Sequence, residues 1–299
     1  MNIRYFRYIF ASILTISALS VSYSQRDPTP NSPRPQHIFE TQLFIADPVI
    51  FYNKDSASSR LDLYIRIPYN SLQFAKDAGS SNNYSANIQY SVILKNFSDS
   101  VFVNEVKDLT ITEKYDSKVL KRSALTLVKN YYLNPGKFIL NITVTDYGTQ
   151  KKYSSQYSFE VIDNSARDIF SSDILLLRSY SKNSDGKATI TPMISNDVGR
   201  TKDFFIFYEL YNNSSDIIVR DINYSFKSNN DNILSSRKQS YTLQPGTNTV
   251  TEKFSSLQFE DENFVLEISD SSGKLLTRKY LINRPLFKEP ETRIWPPQF

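Results

Sequence analysis

Through most of residues 38–285, apolar side chains fall on every second position, and that regularity restricts the fold more than any motif does. Leu61, Leu63, Ile65 and Ile67 lie on one face, with Asp62, Tyr64 and Arg66 on the other. Ile88, Tyr90, Val92 and Leu94 alternate with Asn87, Gln89 and Ser91. Phe138, Leu140, Ile142 and Val144 alternate with Asn141, Thr143 and Thr145, and Tyr153, Tyr157, Phe159 and Val161 with Ser154, Gln156, Ser158 and Glu160. A period of two describes a strand with one buried and one wet face, the usual condition of an antiparallel sheet. No stretch carries a sustained helical period, and Ser123 to Leu133 is given one short helical turn at most.

A second block of strands starts near Ile169. Its members are Asp173–Arg178, Ala188–Met193, Phe204–Tyr211, Ile217–Lys227, Thr249–Leu257, Phe264–Asp270 and Lys274–Ile282. Turn residues separate them, among them Asn183-Ser184-Asp185-Gly186, Asn212-Asn213-Ser214, Pro245-Gly246 and Ser271-Ser272-Gly273. Short strands at this spacing predict an all-β chain of two tandem antiparallel β-sandwiches, immunoglobulin- or fibronectin-like, over 38–163 and 168–285. The join over 163–168 is short, so the units are expected end to end, as a spacer-like rod. Internal duplication is also expected: Ile88, Tyr90, Val92 and Leu94 overlay Phe204, Ile206, Tyr208 and Leu210 without a gap, and Phe138–Asp146 matches Phe264–Asp270.

Composition narrows the chemistry. The chain has one histidine, no cysteine and 7 glycines, against 20 tyrosines and 20 phenylalanines. Most acid–base, nucleophilic and metal sites draw on His, Cys or a Gly-rich phosphate loop. No catalytic residue, metal ligand or cofactor is therefore assigned. Acidic and basic residues are interspersed without a basic stripe, which argues against a nucleic-acid partner. The net charge of +4 loses two units if Arg4 and Arg7 are removed with a leader.

Residues 1–24 have the pattern of a cleaved export signal: Arg4 and Arg7, an apolar run from Tyr8 to Val21, then Ser22-Tyr23-Ser24 before Gln25. The apolar run, broken by Ser12, Thr15, Ser17 and Ser20, is short for a spanning helix, and no transmembrane segment is expected after cleavage. The remaining chain, about 275 residues, suits two domains. Pro28, Pro30, Pro33 and Pro35 mark residues 25–37 as an extended linker, and the loss of alternation from Lys288 to Phe299 makes residues 286–299 an irregular tail.

Several groups invite a chemical reading, each with a plainer one beside it. His37 ends the linker and has no second ligand near it in sequence, so a solvated side chain is expected. Glu209, Asp146 and Asp270 are the acids from which a glycosidase pair could be drawn, although the two aspartates suit turn openings. Asn229-Asn230-Asp231-Asn232 and Glu260-Asp261-Glu262-Asn263 are rich in oxygen but lack the spacing of a calcium loop. Asp55-Ser56-Ala57 and Asp99-Ser100-Val101 fit the short acidic–hydroxyl–apolar pattern of bacterial O-glycan attachment. Tyr64, Tyr131 and Tyr132, with Phe51-Tyr52, are candidate surface contacts for a glycan or a protein partner; cross-strand pairing within a sheet would also account for them.

The order of these pieces resembles the N-terminal region of the Gly-Trp-x-Thr-Asp (GWxTD) domain-containing proteins of Bacteroidota and related bacteria. The resemblance is carried by Phe44-Ile45-Ala46-Asp47-Pro48, by Leu61-Asp62-Leu63-Tyr64-Ile65-Arg66-Ile67-Pro68-Tyr69 with Asn70-Ser71-Leu72-Gln73-Phe74, by Leu133-Asn134-Pro135-Gly136-Lys137-Phe138 running into Thr143-Val144-Thr145-Asp146, and by Phe205-Ile206-Phe207-Tyr208-Glu209-Leu210-Tyr211. It covers residues 38–285 and implies export and tandem β-sandwiches. The motif that names the family does not occur: the single tryptophan, Trp295, lies in Arg293-Ile294-Trp295-Pro296-Pro297. No role of that downstream domain carries over. The sequence thus points to a non-catalytic envelope protein of a Gram-negative bacterium, periplasmic or at the cell surface. It is expected to space or dock an envelope protein partner. A glycan-binding module is the first alternative and a carboxylate hydrolase the second.

Overall fold

A computed structural model describes residues 43–53, 58–79, 82–114, 123–259 and 263–284. The export signal over 1–24, the linker over 25–37 with His37, the triplets 55–57 and 260–262, and the tail over 286–299 lie outside the described residues.

Among the described residues, every regular element longer than a single 3-10 turn is a strand. In the N-terminal unit, β1 (Ile45–Tyr52), β2 (Ser59–Pro68) and β6 (Ala124–Leu133) form a sheet in the order β1-β2-β6. The facing sheet is built on β4 (Asn83–Asn96), which pairs with β5 (Val101–Lys114) on one side and with β7 (Gly136–Asp146) on the other. β8 (Lys151–Val161) adds outside β7, and the two-residue β3 (Ala75–Lys76) pairs with β4. In the C-terminal unit one sheet contains β9 (Ile169–Ser171), β10 (Leu175–Lys182), β11 (Ala188–Pro192), β12 (Asp203–Asn212) and β15 (Gly246–Ser255), in the order β11-β10-β12-β15 with β9 also on β12. The other contains β13 (Ile218–Ser228), β14 (Ile233–Leu243), β16 (Asn263–Asp270) and β17 (Leu275–Ile282), in the order β14-β13-β16-β17. All of these pairings are antiparallel.

The alternation reads directly onto the cores. Leu61, Leu63, Ile65 and Ile67 meet Ile88, Tyr90, Val92, Leu94, Leu140, Ile142 and Val144 in one cluster; Phe204, Ile206, Tyr208 and Leu210 meet Ile222, Tyr224, Phe226, Leu266 and Ile268 in another. Each fully buried aliphatic or aromatic side chain stabilises by about 1.5–3 kcal/mol relative to exposure, which is how a chain without disulfides holds two sandwiches.

Two features correct the sequence reading. Residues 124–133, given one helical turn at most, form β6, whose pairing with β2 runs from Pro68↔Ala124 to Ser59↔Leu133. The duplication also has a different register. By position in the sheets β2 corresponds to β12 and β4 to β13, so Ile88–Leu94 belongs with Ile222–Phe226 and not with Phe204–Leu210. The turns after β4 and β13 agree. In each, the first residue's N–H donates to the fifth residue's carbonyl (Asn96 to Ser100, Ser228 to Asn232), and the fourth residue, Asp99 or Asp231, is left-handed at φ 61° or 62°. This turn brings a one-residue bulge at its base, seen at Leu94/Lys95 and Phe226/Lys227. The match of Phe138–Asp146 with Phe264–Asp270 is retained, since β7 and β16 both lie beside the central strand.

The units do not form a rod joined only end to end. The outer face of β2, expected to be wet, is covered: Asp62 and Tyr64 are buried, and β2 is buried on both faces along Leu61–Ile65. A third cluster lies there, in which Val49, Phe51 and Tyr64 pack on Leu175, Leu177 and Ile194, with Phe205 and Phe207 alongside. Polar contacts close the seam. Ile50 donates its N–H to the Asp173 carboxylate (2.9 Å) and accepts the Asp173 N–H (2.9 Å). The Tyr52 N–H donates to the Tyr211 hydroxyl at 2.8 Å. Lys279 Nζ lies 2.7 and 2.8 Å from the two Asp47 carboxylate oxygens, with the side chains 6% and 3% exposed. Burial pushes the Asp47 carboxyl up, against the attraction of Lys279.

Candidate functional site

The acids that sequence reading offered as chemistry are occupied by the fold. Asp146 is fully buried at the end of β7, where it accepts from the Gln73 N–H (3.2 Å), the Gly148 N–H (3.1 Å) and the Thr149 hydroxyl (2.8 Å). Asp270 opens the turn after β16 and accepts from the N–H groups of Ser272 (2.9 Å) and Lys274 (3.0 Å). Glu209 sits at the seam and accepts the Tyr211 hydroxyl; burial pushes its carboxyl up, while that hydrogen bond and Arg60 pull it down. Asp62 is close enough to act on Glu209, but Arg60 grips it through Nε at 2.8 Å and Nη2 at 3.1 Å, and Asn130 donates to it at 2.5 Å. Arg60 also covers the Phe51 ring, 5.1 Å from its centroid. The charges of Arg60 and Asp62 thus face Glu209 across the seam, while these hydrogen bonds each stay within one unit.

The oxygen-rich stretch 229–232 is the exposed turn between β13 and β14, and the Asp99-Ser100-Val101 triplet ends the corresponding turn after β4 and opens β5. Among the described residues, no group of three or more His, Cys, Asp or Glu side chains is placed to hold a metal ion. No helix among them is long and apolar enough to cross a membrane.

The three tyrosines singled out from sequence do not meet on one face. Tyr64 lies in the inter-unit cluster, 7% exposed, where burial pushes its hydroxyl pKa up to about 12. This corrects the expectation of a surface ring there, because the second unit covers that face. Tyr131 points inward and donates to Glu105 at 3.1 Å, and Tyr132, its neighbour on the opposite face of β6, lies across from Arg60 at 68% exposure.

Two structures that sequence reading missed are the outer strands β5 and β14 and the polar plugs behind them. Both strands are mostly exposed, so neither shows a clean alternation. Behind β5, Glu105 receives Lys129 Nζ (2.6 Å), the Tyr90 hydroxyl (2.9 Å) and the Tyr131 hydroxyl (3.1 Å). Burial raises its carboxyl, but these hydrogen bonds outweigh that and hold it at about 2. Behind β14, buried hydroxyls run in series, Tyr208 to Tyr224 (2.7 Å) and Tyr224 to Tyr241 (2.6 Å). The series ends at Glu252, which accepts from Tyr241 (2.5 Å) and Arg237. Burial is the leading cause that pushes the Tyr224 hydroxyl up to about 12. Each plug bridges edge strands of the two facing sheets, β5 to β6 or β14 to β15, where a sandwich is open.

Exposed apolar side chains gather on these outer strands and their turns. Phe97, Val101, Phe102 and Val106 are 54–60% exposed on the β4–β5 hairpin, and Val219 and Ile233 are 63% and 65% exposed on β13 and β14. Among the described residues, no strand pairs with the outer edge of β5 or of β14. A bare edge carries unpaired N–H and C=O groups that template another strand.

No protein-family model matches this chain, and no curated protein matches it. Among solved structures it is similar to a red sea bream transglutaminase (6% identity, TM-score 0.22, 79% of this chain and 31% of that one). It is also similar to an Escherichia coli alpha-2-macroglobulin (8%, 0.24, 81% and 16%) and to a Kluyveromyces marxianus beta-glucosidase (8%, 0.24, 78% and 45%). The chain thus spans less than half the length of each. At these scores the likenesses say nothing about what this chain binds or does.

Proposed function

We propose that this chain is a non-catalytic, exported docking protein of a bacterial cell envelope that presents strand edges on a rigid pair of β-sandwiches. The observation that supports it most is the contrast between its acids and its apolar surface. The acids that might have done chemistry are tied into turns and the seam, whereas large apolar side chains stand exposed along β5 and β14, whose outer edges are unpaired among the described residues. The export pattern over residues 1–24 and the absence of cysteine fit a protein held together without disulfides outside the cytoplasm.

The test is to immobilise the full chain, probe it with envelope extract and run a glycan array in parallel. One protein should be recovered specifically, and its capture should fall when Val219 and Ile233 are replaced by serine. Sugar binding with no protein recovered would favour the glycan-binding reading. Measurable hydrolysis of any glycoside by purified material would overturn the non-catalytic one.

A further inference from the structure

We propose that β5 is a self-pairing edge, through which two copies join β5 to β5 antiparallel about a twofold axis at Val106. The proposal rests on the docking reading only in taking this edge as a binding surface; it names the occupant.

β5 spans fourteen residues, longer than most strands, and its outer edge is unpaired among the described residues. Natural edges are usually short or guarded by charge. The corresponding β14 has Arg237 and Lys238 adjacent at its middle, paired within the chain with Glu252 and Asp221, and a twofold pairing centred on either would set like cations face to face. β5 instead has Glu105, Lys107 and Asp108 around an exposed Val106.

An antiparallel twofold pairing places one residue opposite its own copy, and the sequence of β5 selects which one. Centring on Glu105, Lys107 or Asp108 sets like charges face to face, which is destabilising. Centring on Val106 sets Val106 against Val106, Val103 against Leu109 twice, and Glu105, which already takes Lys129 and lies 3.4 Å from Lys107 of its own chain, against the other copy's Lys107 twice. Every apolar residue from Val103 to Leu109, the stretch of β5 clear of the bulge at Phe102, then meets an apolar partner. Val106, now 55% exposed, becomes covered, and the two β8-β7-β4-β5 sheets join into one.

The absence of native cysteine makes the register testable without background. In this pairing the Cα atoms of the two Val106 residues lie about 4.5–5.5 Å apart, within disulfide range. The two Asn104 residues lie four positions apart along the strand, about 13 Å. The full chain should sediment as a concentration-dependent dimer. Val106→Cys should form a covalent dimer on mild oxidation, and Asn104→Cys, at an exposed position, should not. Val106→Lys and, separately, Lys107→Glu should each raise the dimer dissociation constant about tenfold or more. A chain monomeric at about 100 μM, a concentration at which micromolar pairs are associated, would overturn the proposal. So would equal cross-linking of both cysteine variants. A monomer that still captures an envelope protein would remove self-pairing and leave the docking reading standing.

Discussion

The open sides of the two sandwiches face the same problem and solve it with opposite charge. In the N-terminal unit the carboxylate, Glu105, is on β5 and the cation, Lys129, is on β6. In the C-terminal unit the cation, Arg237, is on β14 and the carboxylate, Glu252, is on β15. A tyrosine on the corresponding central strand, Tyr90 of β4 or Tyr224 of β13, feeds each from the core. A buried phenol needs a partner for its O–H, and the gap between edge strands is where a polar one can sit half in water. The fold therefore dictates the place of the plug, and either sign satisfies it. What differs is depth. Glu105 collects three donors directly, whereas Glu252 stands at the end of a line of three hydroxyls that begins at the fully buried Tyr208.

The largest effect expected lies between the units, and it tests whether the two plugs belong to one cooperative body. Lys279→Met leaves Asp47 buried and unpaired, and should lower stability by about 3–5 kcal/mol. Adding Asp47→Leu should recover much of that loss, which urea unfolding of the single and double variants will measure. Two separate transitions in the single variant would show that the ion pair couples the units.

Within the plugs, Tyr224→Phe breaks the series at its centre and strands the Tyr208 hydroxyl, at a cost of about 2 kcal/mol. Tyr90→Phe removes one donor of three from Glu105 and should cost about 1 kcal/mol. Equal losses in the two variants would erase the difference in depth. Acid titration sharpens it further. The Glu105 carboxyl is held at about 2, below its ordinary 4.5, so its contribution is complete above pH 4.5 and is lost as the pH falls towards 2. Stability measured over that window should drop by about 2 kcal/mol on this account, and Glu105→Gln should flatten the slope. The smallest change expected is Arg237→Gln. Its side chain is 40% exposed, and melting should report a loss of at most about 1 kcal/mol.

Alternation alone located the strands that face a core. Val92 and Leu140, like Ile206 and Leu266, are buried where a period of two puts them, because a strand pressed on one face must repeat every second residue. The outer strands β5 and β14 escaped that reading, since an edge that overhangs the core has no strongly apolar face to betray it. Strand correspondence between the units escaped it as well. A period of two has no marker of position. The five-residue turn recurs after β10 and β16 with Gly186 and Gly273 in the left-handed place, so only the aspartates there, Asp99 and Asp231, set the turns after β4 and β13 apart.

The sequence by itself determined that this chain folds as antiparallel sandwiches, because the inward residues are written into it at fixed spacing. It also determined that Asp146 and Asp270 open turns, because a carboxylate two residues before a free N–H bonds it locally. Only the tertiary structure decided that Tyr64 and Asp62 leave water, that Asp47 meets Lys279 across 232 residues, and that the edge of β5 stays unpaired among the described strands. Those outcomes depend on which sheet face meets which, and a pattern local to one strand holds no record of what will cover its other side.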